Sequence, residues 1–189
     1  MHIAIEGLDG AGKTSVAKRL AEEVGYEFQE CPIYDLIGRD GVGIFFENLR
    51  RIKGELNSDL ATMVFGAGNL YIKQTRQNKN IVTDRHLCST YLFNANQNNL
   101  NIFDWLVESC GKPDLTVILY ANPETRRNRI KERNPNDPDL NENIFTDEKY
   151  DKAVEFVKRY QMDYIVFDNS NLDIDETVEE IKKLFRKIV

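Results

Sequence analysis

A glycine-rich segment near the amino terminus, followed by a lysine and a hydroxyl residue, has the clearest chemical meaning in this sequence. Residues 7–14 read GLDGAGKT and match the pattern G-x-x-x-x-G-K-[ST] without a mismatch. Glycines let such a loop turn so that backbone N–H groups point at phosphates. Lys13 would then reach the β- and γ-phosphates of a triphosphate, and Thr14 a magnesium ion. The nucleotide-binding residues predicted from this motif are Gly7, Gly10, Ala11, Gly12, Lys13, Thr14 and Ser15.

An acid followed directly by a base forms a second candidate site. Residues 81–84 (IVTD) predict a short strand that ends in Asp84, and an aspartate in that position can hold magnesium directly or through water. Arg85 would place a fixed cation where phosphates meet. The alternative is an Asp-Arg pair that caps the next helix, since acids are common at helix starts. The phosphate-binding motif in the same chain favours the metal site.

A basic helix followed by a polar loop would supply further cations. Residues 126–146 predict a mobile lid, because the helix runs into the polar stretch 134–141. Charge runs are usually solvated helix faces, so only part of this set is expected to act. Arg129 and Arg133 stand four residues apart and share a face, which makes them the candidates for closing over a transferred phosphoryl group. The basic residues of the helix are Arg126, Arg127, Arg129, Lys131 and Arg133.

Composition excludes several classes of protein. The chain has 189 residues, a net charge of −6 and no dense basic cluster, so we expect one domain over residues 1–189, a small-molecule partner and no nucleic acid. No apolar run approaches the ~20 residues that span a bilayer, and no signal-peptide pattern precedes the first strand, so we expect a cytoplasmic protein without membrane contact. Three dispersed cysteines and two histidines give no metal-ligating spacing.

The spacing of apolar residues predicts the elements that position these groups. Five short apolar runs alternate with segments of helical spacing, which indicates a three-layer α/β domain with a five-stranded parallel sheet. The carboxyl ends of parallel strands share one edge, so Glu30 would face the same crevice as the phosphate loop; an exposed edge carboxylate is the open alternative. Trp105 is expected in the core. The strands are predicted at residues 3–5, 26–30, 81–84, 115–120 and 164–167, and the helices at about 15–24, 42–52, 58–80, 87–97, 101–110, 123–133, 146–161 and 174–188.

Together these residues resemble the thymidylate kinase group of P-loop nucleotide kinases over nearly the whole chain. Residues 5–14 (IEGLDGAGKT) are very close to that family's opening. Residues 84–86 with Ser89 are similar to its Asp-Arg-Tyr/Phe…Ser segment, and residues 113–129 resemble its fourth strand and the start of its lid. The resemblance implies the P-loop nucleotide kinase fold, a magnesium–ATP donor, nucleotide substrates and a homodimer formed through long helices.

The departures from the family pattern fall in the acceptor pocket. Residues 67–69 are Ala-Gly-Asn where the family usually has Ala-Ala-Arg or Ala-Asn-Arg. Residues 92–94 are Leu-Phe-Asn where it usually has Ala-Tyr-Gln. Such changes move hydrogen bonds and hence specificity. The resemblance implies that Arg85 binds the acceptor's phosphate and that Asp9 contacts its sugar hydroxyl. The residues expected at the acceptor are Asp9, Glu30, Asn69, Arg85, Phe93 and Asn94.

The motif and the resemblance together predict a magnesium-dependent nucleoside monophosphate kinase that moves the γ-phosphoryl group of ATP to a deoxynucleotide, thymidylate by default. One alternative is a deoxynucleoside kinase, in which Glu30 would act as the base for a sugar hydroxyl. Another is a nucleotide-binding protein that has lost transfer, against which Lys13, Thr14 and Asp84 argue. The expected magnesium ligands are Thr14 and Asp84. The expected catalytic residues are Lys13, Arg85, Arg129, Arg133 and Asp9.

Overall fold

A five-stranded parallel sheet with helices on both faces is the framework of the molecule. The computed structural model describes residues 1–55, 58–141 and 147–185. The strands lie in the order β2-β3-β1-β4-β5, and Ile5 at the centre pairs with Asp84 on one side and Val117 on the other. This architecture confirms the predicted fold class. The strands are β1 (His2–Gly7), β2 (Glu27–Gln29), β3 (Ile81–Asp84), β4 (Leu115–Tyr120) and β5 (Tyr164–Asp168).

The helices connect these strands and cover the sheet. They are α1 (Lys13–Val24), α2 (Tyr34–Ile37), α3 (Val42–Glu55), α4 (Ser58–Thr75), α5 (Leu87–Asn94), α6 (Leu100–Cys110), α7 (Pro123–Arg133), α8 (Glu148–Arg159) and α9 (Ile174–Phe185). Two short 3₁₀ turns lie at Arg39–Gly41 and Pro138–Asn141. Among the described residues, no helix is both long and apolar enough to cross a membrane.

The core has two parts, one on each face of the sheet. Side chains of β4 alternate between them, so that Val117 and Leu119 join the cluster beneath α1 and α9, and Ile118 joins the cluster beneath α5, α6 and α8. All three residues are fully buried. A strand buried on both faces reads as a continuous apolar run, which is why β4 is predictable from its sequence.

Several predicted boundaries are wrong for local reasons. α4 ends at Thr75 and not near residue 80, because the segment from Gln74 onward is polar and has no apolar face to bury. α5 ends at Asn94, where the Asn99 side chain accepts a hydrogen bond from the Asn96 amide at 2.9 Å and competes with the helix. β2 is shorter than predicted. Residues 142–146 of the predicted lid, the predicted start of the following helix at 146, and residues 186–188 lie outside the described residues.

Trp105 is not in the core. Its side chain is 48 % exposed, whereas Phe103 and Leu106 on the same helix are fully buried. Two residues correspond to about 200° of helix rotation, so Trp105 lies on the face of α6 opposite Phe103. The prediction relied on the apolar character of tryptophan. The spacing of the apolar residues along α6 places Trp105 on the outward face instead.

Candidate active site

The phosphate loop joins β1 to α1 and holds Lys13 in a buried position. The Lys13 ammonium donates a hydrogen bond to the Leu8 carbonyl oxygen at 2.7 Å and lies 3.6 Å from the Asp9 carboxylate. Gly12 has a φ of +88°, a conformation that favours glycine, and α1 begins at the next residue. Burial lowers the pKa of Lys13 to about 8. A bound phosphate would offset that desolvation by supplying negative charge.

Thr14 and Asp84 meet at the ends of α1 and β3. The Thr14 hydroxyl donates to Asp84 Oδ2 at 2.5 Å. Asp84 is 5 % exposed, and its second carboxylate oxygen, Oδ1, is buried with no hydrogen-bond partner. A hydroxyl and an unsatisfied carboxylate oxygen side by side suit a hard cation such as Mg²⁺, which commonly takes one or two protein oxygens and completes its shell with water and phosphate. The residues present therefore fit the predicted metal.

Arg85 reaches from β3 to the phosphate loop. It has a φ of +75°, which is uncommon for a residue with a side chain. Its guanidinium forms an ion pair with Asp9 and donates to Ser89 Oγ at 3.2 Å. The guanidinium carbon also lies 5.7 Å from the centre of the Phe93 ring. Burial alone would raise the pKa of Asp9, but the Arg85 and Lys13 cations hold it well below its usual range.

Glu6 contacts the candidate site through Ser89 and was not predicted from the sequence. It is fully buried on β1, and its carboxylate accepts hydrogen bonds from the backbone N–H groups of His86 at 2.8 Å and Ser89 at 3.1 Å. The Ser89 hydroxyl also donates to it. Burial raises the pKa of Glu6 despite these bonds. Glu6 therefore fixes Ser89, which in turn accepts from Arg85; the available signal was an acid inside an apolar strand.

A cavity of about 340 Å³ lies beside Arg85 and collects most of the predicted acceptor residues. Glu30 is half-buried directly after β2 and is not among the described residues that line this cavity, although its neighbours Cys31 and Pro32 are. The predicted acceptor residues that the structure brings together are Asp9, Asn69, Arg85, Phe93 and Asn94.

A second cavity, of about 1040 Å³, runs over the phosphate loop. Gly7 and Ala11 lie behind its wall: a Cβ on Gly7 would stand 2.4 Å from the Leu119 carbonyl oxygen, and Ala11 is fully buried in the core. Asp9, Cys31, Tyr34 and Arg85 line both cavities. The predicted residues that line this second cavity are Asp9, Gly10, Gly12, Lys13, Thr14, Ser15, Asp84, Arg85, Arg129 and Arg133.

Arg129 and Arg133, the two predicted lid arginines of α7, have different environments. Arg129 donates to the Asn169 backbone oxygen at 2.9 Å and to the Leu172 oxygen at 3.3 Å, which holds it over the second cavity. Arg133 lies near the end of the helix, is exposed and pairs with Asp137 at 2.8 Å. Both were predicted as lid residues, but of the two only Arg129 is anchored to the rim through backbone carbonyls.

Arg126 is fully buried, which the sequence analysis did not predict. Its Nε donates to the Ala121 oxygen at 3.0 Å, and its guanidinium carbon lies 5.7 Å from the centre of the Tyr150 ring. Ile130, one turn later, is buried on the same face. The backbone of Arg126 also packs against Gly10 of the phosphate loop. The base of α7 is therefore fixed to the loop. The four-residue spacing between Arg126 and Ile130 was the sequence signal that could have indicated the burial of Arg126.

Comparison with known proteins places this geometry in a family. A family model described as thymidylate kinase matches residues 60–181. A putative adenylate kinase of Thermococcus kodakarensis is 31 % identical over 99 % of this chain and 86 % of its own length. A probable thymidylate kinase of Methanocaldococcus jannaschii is 25 % identical over 96 % of this chain and 93 % of its own.

Solved structures agree on the fold. A deoxyadenosine kinase from M. mycoides with bound dATP superposes with a TM-score of 0.70 at 21 % identity, covering 98 % of this chain and 100 % of that one. The thymidylate kinase of Candida albicans superposes with a TM-score of 0.68 at 20 % identity, covering 98 % and 91 %. Because the thymidylate kinase model matches residues 60–181 and the chain carries the phosphate loop and the Asp84–Arg85 segment, it belongs to the thymidylate kinase family of P-loop phosphotransferases.

Proposed function

We propose that this protein is a magnesium-dependent nucleoside monophosphate kinase that uses ATP as the phosphoryl donor. The observation that carries the proposal is the position of Arg85, which lines both cavities and lies beside the phosphate loop. An acceptor that already bears a phosphate is anionic, so it needs cations where the two phosphates meet and no base to activate it. A half-buried guanidinium that lines both cavities meets that need.

Several residues of the second cavity, here called the donor cavity, have a role in this proposal. Loop amides and Lys13 would bind the β- and γ-phosphates, and Arg129 would neutralise charge on the transferred group from the rim. Thr14 and Asp84 would hold a magnesium ion, which supplies further positive charge to the phosphates. Arg133 would join them only if its pair with Asp137 opens on lid closure.

Asp9 and Arg85 would act on the acceptor. Their ion pair holds the guanidinium next to the loop, so an incoming phosphate would compete with the Asp9 carboxylate for it. Asp9 would then turn to the acceptor sugar, as the resemblance implies. A lost transfer activity is disfavoured, because Lys13, the Thr14–Asp84 pair and Arg85 keep contacts suited to donor, metal and acceptor.

The acceptor expected from the family is thymidylate, while the name of the Thermococcus relative suggests adenylate. A coupled assay with ATP and magnesium, run over all common ribo- and deoxynucleoside monophosphates, tests the proposed reaction. We expect ADP release that depends on one or a few of them. ATP binding without turnover of any monophosphate would contradict the proposal.

A deoxynucleoside kinase is the second candidate, because Glu30 follows β2 beside Cys31 and Pro32, which line the 340 Å³ cavity, here called the acceptor cavity. Glu30→Gln separates the two reactions. Loss of most activity would support a nucleoside acceptor, because its hydroxyl needs a base. Near-normal activity would support a monophosphate acceptor. Glu27→Gln, at an exposed carboxylate on β2 that pairs with Lys79, is the matched control.

We further propose that the protein forms a homodimer through α4 and α6. These helices pack together and carry three exposed large apolar side chains, Leu60, Met63 and Trp105, between 42 and 48 % exposed. Sedimentation analysis should show a dimer for the wild type and a monomer for the double variant Met63→Glu, Trp105→Glu. Val166→Glu, at an exposed position on β5, should stay dimeric; a monomeric wild type would refute the dimer.

A further inference from the structure

Two asparagine side chains in the acceptor cavity have incomplete hydrogen bonding. Asn69 on α4 is 2 % exposed, and Asn94 at the end of α5 is 4 % exposed. The Asn69 amide nitrogen donates to the Phe65 carbonyl oxygen at 3.0 Å, and the Asn94 amide nitrogen to the Thr90 oxygen at 2.9 Å. The side-chain oxygen of each is buried and has no hydrogen-bond partner. Both residues line the 340 Å³ cavity.

The hydrogen bond of each amide to its own helix fixes which end is free. A backbone carbonyl oxygen accepts only from the NH₂ end of an amide, so the oxygen end is the one left over. A buried acceptor without a partner is costly, and native structures contain few of them. Two residues that line one cavity each carry such an acceptor, which points to a ligand that brings N–H donors.

The other walls of this cavity suit the rest of a nucleotide. Arg85 supplies a cation for a phosphate, and the rings of Phe46, Phe65 and Phe93 supply apolar surface for a flat base. The Phe46 and Phe65 rings have their centres 6.2 Å apart. The two asparagines thus add amide groups to a cavity that also holds three aromatic rings, a combination suited to reading the edge of a base.

We propose that Asn69 and Asn94 select an acceptor whose base carries an exocyclic amino group, such as adenine or cytosine, over thymine or uracil. The inference rests on the proposed phosphoryl transfer and specifies its acceptor. An amino group offers two N–H donors, whereas thymine presents a carbonyl oxygen at the same position. Two amide oxygens would accept hydrogen bonds from the amino group. Opposite a carbonyl oxygen they would face another acceptor, with no hydrogen between the two oxygens. Thymidylate, the default expected from the family, becomes the disfavoured acceptor.

Pairs of acceptors that differ in this one group test the proposal on the unaltered protein. The first pair is 5-methyl-dCMP and dTMP, which match in size and methyl group; the second is dCMP and dUMP; the third is dAMP and dIMP. We expect kcat/KM to favour the amino member of at least one pair by about tenfold or more, and the carbonyl member of none. Equal use within every pair, or preference for dTMP or dUMP over its amino partner, would overturn the proposal.

Variants then assign the preference to the two residues. Asn69→Leu and Asn94→Leu keep the approximate volume and remove the oxygens, so the ratio of kcat/KM within the preferred pair should fall towards one while KM for ATP is unchanged. Asn98→Leu, at an exposed asparagine just after α5, should keep the wild-type ratio. A ratio that survives in both site variants would overturn the assignment to these side chains.

Binding separates this inference from the proposed reaction. Calorimetric titration of the same six monophosphates reads base preference whether or not transfer occurs. No turnover with any of these six or with the other common monophosphates, together with tighter binding of the amino members, would refute the kinase proposal and uphold the selection by the asparagines. Turnover with the carbonyl members bound as tightly as the amino members would do the reverse.

Discussion

Gly10 joins the phosphate loop to the base of α7, and its replacement by alanine is a stringent test of that contact. Gly10 has a φ of +81°, and a Cβ there would lie 2.5 Å from the carbonyl oxygen of Arg126 and 2.8 Å from its Cα. These are backbone atoms of a residue whose side chain is fully buried, so they cannot move aside cheaply. Two other glycines provide controls: Gly25 has a φ of +69° but nothing within 4 Å, and Gly43 in α3 has open space and no positive φ.

The three substitutions isolate the contributions to the free energy of unfolding. Gly25→Ala carries only the left-handed backbone cost, about 1–2 kcal/mol. Gly10→Ala carries that cost and an overpacking cost of about 1–3 kcal/mol, so we expect a loss of about 2–5 kcal/mol, a large part of the ~5–15 kcal/mol typical of a domain. Gly43→Ala should stabilise by roughly 1 kcal/mol, because alanine is the better helix former.

Urea denaturation measures these values, and ATP titration measures their effect on the site. The expected order of stability is Gly43→Ala, wild type, Gly25→Ala, Gly10→Ala. Gly10→Ala should also weaken ATP binding, since Lys13 lies three residues further along the same loop, whereas Gly25→Ala should bind ATP normally. Equal destabilisation by Gly10→Ala and Gly25→Ala would show that the loop does not press on Arg126, and the reasoning would fail.

The other predictions concern three ionisable groups. Because burial lowers the pKa of Lys13 to about 8, ATP binding at about pH 9 should take up a proton, and affinity for ATP should fall up to about tenfold per pH unit above that pKa. Calorimetry in buffers of different ionisation enthalpy measures the proton uptake, and its absence would contradict this prediction. Glu6→Gln should cost about 1–3 kcal/mol and raise KM for the acceptor but not for ATP. Burial raises the pKa of Glu6 above its unfolded value, so the stability of the wild type should fall as pH rises above about 4.5. Thermal melts of Glu6→Gln over the same pH range should lack this fall, and the same pH dependence in both proteins would refute the prediction. Asp84→Asn should reduce kcat roughly a hundredfold and raise the magnesium requirement, while Asp151→Asn on the exposed face of α8 should do neither; equal effects of the two would argue against the metal site.

The parts of the site that follow from local sequence were predictable. The phosphate loop lies between a strand and a helix that its own flanks encode, and Asp84 ends a strand whose apolar run is continuous. Because parallel strands end at one edge, their loops must meet there, which brought Thr14 and Asp84 into contact as expected.

The parts that depend on distant contacts were not predictable. Glu6 and Arg126 are charged residues at full burial, and only their partners on other segments explain it: Glu6 accepts from groups about 80 residues away, and Arg126 packs against Tyr150. Average burial preferences place such residues in solvent. Trp105 failed in the opposite direction, because the same averages place a tryptophan inside.

Four residues, Asp9, Cys31, Tyr34 and Arg85, belong to the walls of both cavities. One molecule could therefore occupy both sites at once if a polyphosphate chain of suitable length connected two nucleosides across Arg85. Such a ligand loses translational and rotational freedom once instead of twice, so its affinity should exceed that of either half. The common wall makes the protein a target for inhibitors of this linked kind, with a base chosen to fit Asn69 and Asn94 at one end.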